Sequence, residues 1–135
     1  MRFLEIHMPI SENAVNQGVA KHLQSRGYEI VSQALGKQHG KDIVAKHGGT
    51  ELWVTVKGYP KITSKTRPET QARHYFRDAV FDIIDWRNCS KKVELAVALP
   101  DRKTYRNAAT RTTGWLQEKA RFRFLWFDDV NGVTE

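Results

Sequence analysis

Cysteine is almost absent from the sequence, and this scarcity excludes several kinds of protein. The 135-residue chain holds a single cysteine, Cys89, so it can form no internal disulfide and no zinc site that needs several thiolates. A reducing compartment suits such a chain, and we expect a cytoplasmic location. The five histidines form no His-x-x-x-His pair, and the sequence contains neither a Walker loop nor a dinucleotide fingerprint.

Long apolar runs are also missing. The first ten residues, MRFLEIHMPI, contain Glu5 and His7 where a signal peptide needs an unbroken apolar core. No later run approaches the roughly 20 apolar residues of a membrane span. We therefore expect neither secretion nor a membrane partner.

Acidic residues are outnumbered by basic ones, 15 against 22, which gives a net charge of +7. Residues 57–77 contain six Lys or Arg and one acid, and residues 102–111 contain four more and no acid. Such clusters predict a polyanionic partner, for which nucleic acid is the natural candidate. The alternative is that these side chains only solvate helix faces.

The remaining composition is that of a folded protein. Hydrophobic residues make up 40% of the chain and aromatic residues 10%, which is enough to build a core. The sequence shows no repeat or long linker, and its length suits one unit. We therefore predict a single domain over residues 1–135.

Hydrophobic periodicity predicts a helix followed by three strands. Ser11 is a good N-cap, and Val15, Val19 and Leu23 recur every four residues before Gly27 ends the helix at about residue 26. Residues 28–35, 41–47 and 51–57 have strand patterns, and we expect them to pair antiparallel. The glycines that separate them are Gly36, Gly40, Gly48 and Gly49.

The second half of the chain alternates helices and strands. We predict a helix over residues 69–87, a strand over 91–99 that is apolar enough to be covered on both faces, a helix over 104–120 and a strand over 122–127. The order is then α-β-β-β-α-β-α-β. This order indicates an α/β protein with a mixed central β-sheet flanked by helices.

Several polar residues occupy positions where they could take part in chemistry. Strand alternation places Thr55 and Lys57 on one face of the third strand, and Asp42 begins the second. Glu12 aligns with the apolar stripe of the first helix, although an acid in a first turn also favours the helix dipole. Gln71 and Tyr75 lie one turn apart on the second helix.

Two motifs, Gly40-Lys41-Asp42-Ile43-Val44-Ala45 and Leu52-Trp53-Val54-Thr55-Val56-Lys57-Gly58, follow one another in this order of elements. Over residues 11–99 the set resembles the PD-(D/E)xK nuclease superfamily, which has the restriction-endonuclease-like three-layer fold. The first helix with Glu12 looks like that of Holliday-junction-resolvase-like branches. Gln71-Ala-Arg-His-Tyr75 is similar to the Gln-x-x-x-Tyr motif of RecB-like branches.

The resemblance implies a nuclease that hydrolyses phosphodiester bonds in DNA with Mg²⁺ or Mn²⁺. Asp42 is then the main metal ligand, Glu12 an auxiliary acid and Lys57 the catalytic lysine. The backbone carbonyl of Val56 is a further metal ligand. Gln71 and Tyr75 position phosphate or water. Because cutting two strands often uses two sites, a homodimer belongs to this interpretation.

One position departs from the family pattern. Thr55 stands where the family has Glu or Asp two residues before the lysine, and a neutral hydroxyl is a poor substitute for a carboxylate on Mg²⁺. Glu51 lies roughly 13 Å away along the strand, so a substitute acid has to come from Glu12, Asp78 or Asp82. Two alternatives therefore stay open: a catalytically inactive protein of this fold that binds nucleic acid or a protein partner, and a scaffold whose basic surface meets an acidic protein.

The loop over residues 58–68 is the predicted nucleic-acid contact. It is basic and carries a glycine and two prolines, and the following helix adds another cation. We expect these side chains to bind phosphates. They are Lys61, Lys65, Arg67 and Arg73.

Overall fold

A mixed sheet of six strands runs through the centre of the protein. A computed structural model describes residues 8–35, 41–63, 65 and 67–135. The elements of these residues are, in chain order, α1 (Glu12–Ser25), β1 (Glu29–Gln33), β2 (Ile43–His47), β3 (Thr50–Val56), α2 (Pro68–Cys89), β4 (Glu94–Pro100), α3 (Lys103–Thr110), α4 (Trp115–Ala120), β5 (Phe122–Asp128) and β6 (Gly132–Thr134).

The strands lie side by side in the order in which they occur in the chain. The strands β1, β2 and β3 pair antiparallel, which confirms the prediction for the first half of the sheet. The pairs β3–β4 and β4–β5 are parallel, so each of these connections crosses over through helices, as parallel strands require. The edge strand β6 returns antiparallel to β5.

Helices cover both faces of the sheet, and a separate apolar cluster fills each interface. Helix α1 packs Val15, Val19 and Leu23 on one face. Helices α2, α3 and α4 pack on the other, with Phe76 and Tyr105 among the buried residues. Residues Leu95 to Pro100 of β4 are all buried, which confirms the prediction of a strand covered on both faces.

The two long helices begin and end near the predicted residues. The Ser11 hydroxyl caps α1 by accepting a hydrogen bond of 3.0 Å from the Ala14 amide, and Gly27 follows with a φ of 90° that suits glycine. Helix α2 begins at Pro68, in the first turn where a proline fits. No helix in the described part of the chain is long and apolar enough to cross a membrane. Gly36 and Gly40 lie outside the described residues.

The structure corrects the sequence prediction at two places. The single helix predicted over residues 104–120 is two helices, because Gly114 adopts a φ of 81° and the Thr112 hydroxyl bonds back to the Ala109 carbonyl. The strand β6 was not predicted, since its three residues are too few to show alternation. A turn in which Asp128 accepts two backbone N–H bonds precedes it. The order is therefore α-β-β-β-α-β-α-α-β-β.

Candidate active site

Three of the predicted site residues come together although they belong to different elements. Glu12 lies in the first turn of α1, Asp42 immediately precedes β2, and Lys57 immediately follows β3. Burial raises the pKa of Glu12, the neighbouring Asp42 carboxylate raises it further, and the Lys57 ammonium opposes both effects. Glu12 lies on the apolar side of α1, as the sequence predicted, and its half-buried carboxylate interacts with residues at the ends of two strands.

Asp42 is fixed against the end of β3. Its Oδ2 accepts a 2.7 Å hydrogen bond from the Val56 amide. Burial raises the pKa of Asp42, while the Val56 N–H and Lys57 oppose this and Asp82 adds to it. Val56 contacts Asp42 through its backbone amide. A metal-binding role for the Val56 carbonyl stays a prediction.

A carboxylate from α2 lies beside Thr55, the position at which the sequence resemblance leads one to expect an acid. Thr55 is fully buried, and its hydroxyl donates a hydrogen bond of 2.8 Å to Oδ2 of Asp82. The Asp82 carboxylate also contributes to the raised pKa of Asp42. Asp78, one turn earlier, is exposed and lines the adjacent cavity.

A cavity of about 820 Å³ opens beside these groups. Glu12 and Lys57 line it at one side, and Gln71 and Tyr75 line it from α2, so the predicted positioning residues face the same space. Of the predicted phosphate contacts, Lys61 lines the cavity.

The other predicted phosphate contacts lie outside this cavity. Lys65 and Arg67 are exposed in the loop that precedes α2. Arg73 is also exposed, but it borders a separate groove between α2 and α3. The structure therefore brings Lys61 to the site and separates Arg73 from it.

Gly58 allows the start of α1 to approach the end of β3. A Cβ at this position would lie 2.3 Å from the Ile10 carbonyl oxygen and 2.7 Å from the Glu12 amide nitrogen. Ile10 and Tyr59 exchange two backbone hydrogen bonds of 3.1 and 2.8 Å, and the buried Tyr105 hydroxyl donates to the Gly58 carbonyl at 2.6 Å. The glycine after Lys57 is visible in the sequence, but its contact with a segment 48 residues earlier is not.

Asn16 holds the chain that leads into Asp42, and the sequence analysis overlooked it. Its side chain is 1% exposed, and its Nδ2 donates to the backbone carbonyls of Ala34 and Asp42 at 3.1 and 3.2 Å. Its Oδ1 accepts from Gln33 Nε2 at 2.6 Å. An amide beside the apolar stripe of α1, one turn after Glu12, is the feature that could have identified it.

The available ligands suit a hard divalent cation better than a softer metal such as Zn²⁺ or Cu²⁺. Across residues 8–35, 41–63, 65 and 67–135, no group of three or more His, Cys, Asp or Glu side chains is arranged to hold a metal ion. However, Mg²⁺ retains several waters and is often bound through one or two carboxylates and substrate phosphates. Glu12 and Asp42 form such a pair, and their raised pKa values reflect crowding and burial that a cation would relieve. The donors therefore fit Mg²⁺ or Mn²⁺.

Comparison with known proteins identifies a similar fold at low sequence identity. No family model and no curated protein matches the chain. An XisH family protein from Nostoc punctiforme is similar with a TM-score of 0.55 and 16% identity, over 90% of this chain and 96% of that one. An fdxN element excision controlling factor protein from Anabaena variabilis has a TM-score of 0.54, with the same identity and coverage. At this identity the similarity supports the fold alone.

Proposed function

We propose that this protein is a nuclease of the restriction-endonuclease-like fold that hydrolyses phosphodiester bonds in DNA with Mg²⁺ or Mn²⁺. The observation that carries the proposal is the meeting of Glu12, Asp42 and Lys57, of which Glu12 and Lys57 line one cavity. Two half-buried carboxylates beside a lysine provide cation ligands and a fixed positive charge in one place. Burial and a neighbouring carboxylate raise the pKa of both Glu12 and Asp42. Acids whose pKa values are shifted in this way are typical of functional sites.

Each side chain of the candidate site has a separate role in the proposed reaction. Asp42 and Glu12 would hold the cation through carboxylate oxygens, and a bound cation supplies Lewis-acid activation of the scissile phosphate and of a water. The Lys57 ammonium stabilises negative charge that develops on the phosphate. The Glu12 carboxylate lines the cavity and would also be available to accept a proton from water. Gln71 and Tyr75 orient the phosphate from the opposite wall of the cavity.

Asp82 takes the place of the acid that the third strand lacks. The Thr55 hydroxyl donates to one oxygen of Asp82, which fixes the carboxylate of α2 against the sheet. In this proposal, Thr55 of β3 positions the Asp82 carboxylate of α2.

DNA is the proposed substrate because of the charge around the cavity. Lys61 lines it, and Lys65 and Arg67 extend the positive surface along the loop before α2. The similar protein from Anabaena variabilis is an excision controlling factor, and a DNA-cutting enzyme suits such a process. Cutting both strands of a duplex often uses two active sites, so we include a homodimer in the proposal, together with a cytoplasmic location.

Cleavage of labelled duplex, single-stranded and four-way-junction DNA with Mg²⁺ or Mn²⁺ tests the proposal. We expect metal-dependent product from the wild type and a loss of at least about 100-fold in Asp42→Ala and Lys57→Ala. Asp129→Ala removes an exposed carboxylate elsewhere and should cleave like the wild type. Undiminished cleavage by Asp42→Ala would show that the site is assigned wrongly.

A catalytically inactive nuclease-fold protein that binds nucleic acid or a protein partner is the second candidate. The observation that favours it is Thr55, which is neutral, buried and engaged with Asp82. Under this alternative the wild type yields no product, whereas Thr55→Glu restores metal-dependent cleavage. Under the first proposal the wild type is active and Asp82→Asn inactivates it, so one set of variants separates the two.

A further inference from the structure

A groove lies between α2 and α3. Its volume is about 260 Å³, and its surface is mostly apolar. We refer to it as the α2–α3 groove. Its apolar lining consists of Phe76, Val80, Phe81 and Ile84 from α2, Ala108 from α3, and the adjoining Thr112.

The groove exposes large apolar side chains to solvent. Phe81 is 62% exposed and Ile84 is 46% exposed, although both lie in the middle of the longest described helix. Ile84 also borders a second depression of about 570 Å³ that contains Trp115, which is 71% exposed. Contiguous exposed apolar surface of this kind marks interaction sites in soluble proteins.

The rim of the groove is basic. Arg73, Arg77 and Arg111 border it and are exposed, and none of them forms an ion pair with a carboxylate of the described residues. The adjoining depression continues this charge, because its charged residues include one acid among several cations. These residues are Asp85, Arg87, Lys91, Lys119 and Arg121.

The groove is separate from the candidate active site although α2 contributes to both. At 100° per residue, Phe81 and Ile84 lie on one flank of α2, and Asp78 and Asp82 lie on the other. No described residue lines both the α2–α3 groove and the cavity beside Glu12 and Lys57. A partner bound in the groove therefore leaves the cavity open to DNA.

We propose that the α2–α3 groove binds an acidic amphipathic helix of a protein partner. The apolar stripe of such a helix covers Phe81 and Ile84, and its carboxylates meet the arginines of the rim, which is the helix-in-groove mode of recognition. Nucleic acid fits this groove less well, because a phosphate backbone does not bury an aliphatic and aromatic lining. A second copy of the chain fits poorly as well, since two basic rims repel each other.

Binding of designed peptides to the full-length protein tests the proposal by fluorescence anisotropy. The probe is a labelled 18-residue helical peptide with a leucine stripe flanked by glutamates. One matched peptide carries lysines in place of the glutamates, and another carries serines in place of the leucines. We expect saturable binding of the first peptide and at least about tenfold weaker binding of the other two. Absence of saturable binding, or equal binding of all three peptides, would overturn the proposal.

Variants locate the binding site on the protein. Phe81→Ser and the double variant Arg77→Glu/Arg111→Glu change exposed residues, so their melting curves should stay close to that of the wild type while peptide binding falls at least about tenfold. The control Lys21→Glu/Lys46→Glu makes the same change in charge at exposed positions elsewhere and should bind normally.

Two further measurements, DNA binding and light scattering, test whether nucleic acid or a second copy of the chain occupies the α2–α3 groove instead. Duplex DNA binding that Phe81→Ser abolishes would assign the groove to nucleic acid and overturn the proposal. A doubling of mass in light scattering that Phe81→Ser abolishes would assign it to a second copy of the chain. Unchanged DNA binding and unchanged mass in Phe81→Ser, together with lost peptide binding, support the proposal.

Discussion

Asn16 offers the most direct test of how the site is held in place. Its buried amide donates to the carbonyls of Ala34 and Asp42 and accepts from Gln33. Asn16→Ala removes all three hydrogen bonds and leaves two carbonyls without this partner. A buried polar group that loses its partner costs about 1–3 kcal/mol. The Asp42 carbonyl keeps the Ala34 amide as a donor at 2.8 Å, and both carbonyls belong to partly exposed residues, so we expect a total loss of about 2–4 kcal/mol for the three lost hydrogen bonds.

Urea denaturation and thermal melting measure this loss. For a chain of this length, 1 kcal/mol corresponds to about 3.5 °C in melting temperature, so Asn16→Ala should melt about 7–14 °C below the wild type. Gln17→Ala removes an exposed amide from the same helix and is the matched control, expected within about 0.5 kcal/mol of the wild type.

The variant Asn16→Asp separates hydrogen bonding from packing because it keeps the shape of the side chain. Its ionised carboxylate faces two carbonyl oxygens and can no longer donate to either, so we expect a loss at neutral pH at least as large as that of Asn16→Ala. Protonation at acid pH restores one donor and should recover part of the loss. A loss below about 0.5 kcal/mol in Asn16→Ala, or one equal to that of Gln17→Ala, would refute the reasoning.

Three further predictions follow from the same geometry. Gly58→Ala should destabilise the fold by about 1–3 kcal/mol in urea denaturation because its Cβ meets the backbone before α1, whereas Gly49→Ala, which meets no atom within 4 Å, should be neutral. Because the folded protein raises the pKa of Glu12, ionised Glu12 opposes folding above its ordinary pKa. Glu12→Gln should therefore increase the free energy of unfolding at pH 7 by up to about 1 kcal/mol, and this gain should shrink as the pH falls toward 4. The same substitution should abolish cleavage activity. A gain that is unchanged over this pH range would contradict the assigned cause. Replacing three loop cations with alanine should reduce the slope of log binding constant against log salt for duplex DNA by about 2–3, and an unchanged slope would exclude the loop as the contact. The three cations are Lys61, Lys65 and Arg67.

Much of the fold could be predicted because its elements have strong local patterns. The stripe of α1, the three strands that follow it, the apolar face of α2 and the doubly covered β4 all appear in the structure near their predicted residues. Each of these patterns arises from neighbours a few positions apart in the chain. The prediction failed between α3 and α4, where one apolar face continues through a break at Gly114, and at β6, where the strand is too short to show a period.

The candidate site shows the same division. Sequence motifs predicted Glu12, Asp42 and Lys57 as site residues, and the three lie close together in the structure. The motifs gave no means of deciding whether Glu12, Asp78 or Asp82 contacts Thr55, because the contact depends on which flank of α2 faces β3. The hydrogen bond from Thr55 to Asp82 joins residues 27 positions apart, and no local pattern records it.

The sequence by itself determined most of the helices and strands, the charge of the protein and the residue types available for chemistry, since these follow from composition and from short-range periodicity. Only the tertiary structure decided that Asn16 holds Asp42, that Gly58 admits the start of α1, and that Arg73 faces a groove rather than the cavity. Each of these depends on a contact or a facing direction between segments far apart in the chain. Packing of helices on the sheet creates such contacts, and the order of residues alone does not specify them.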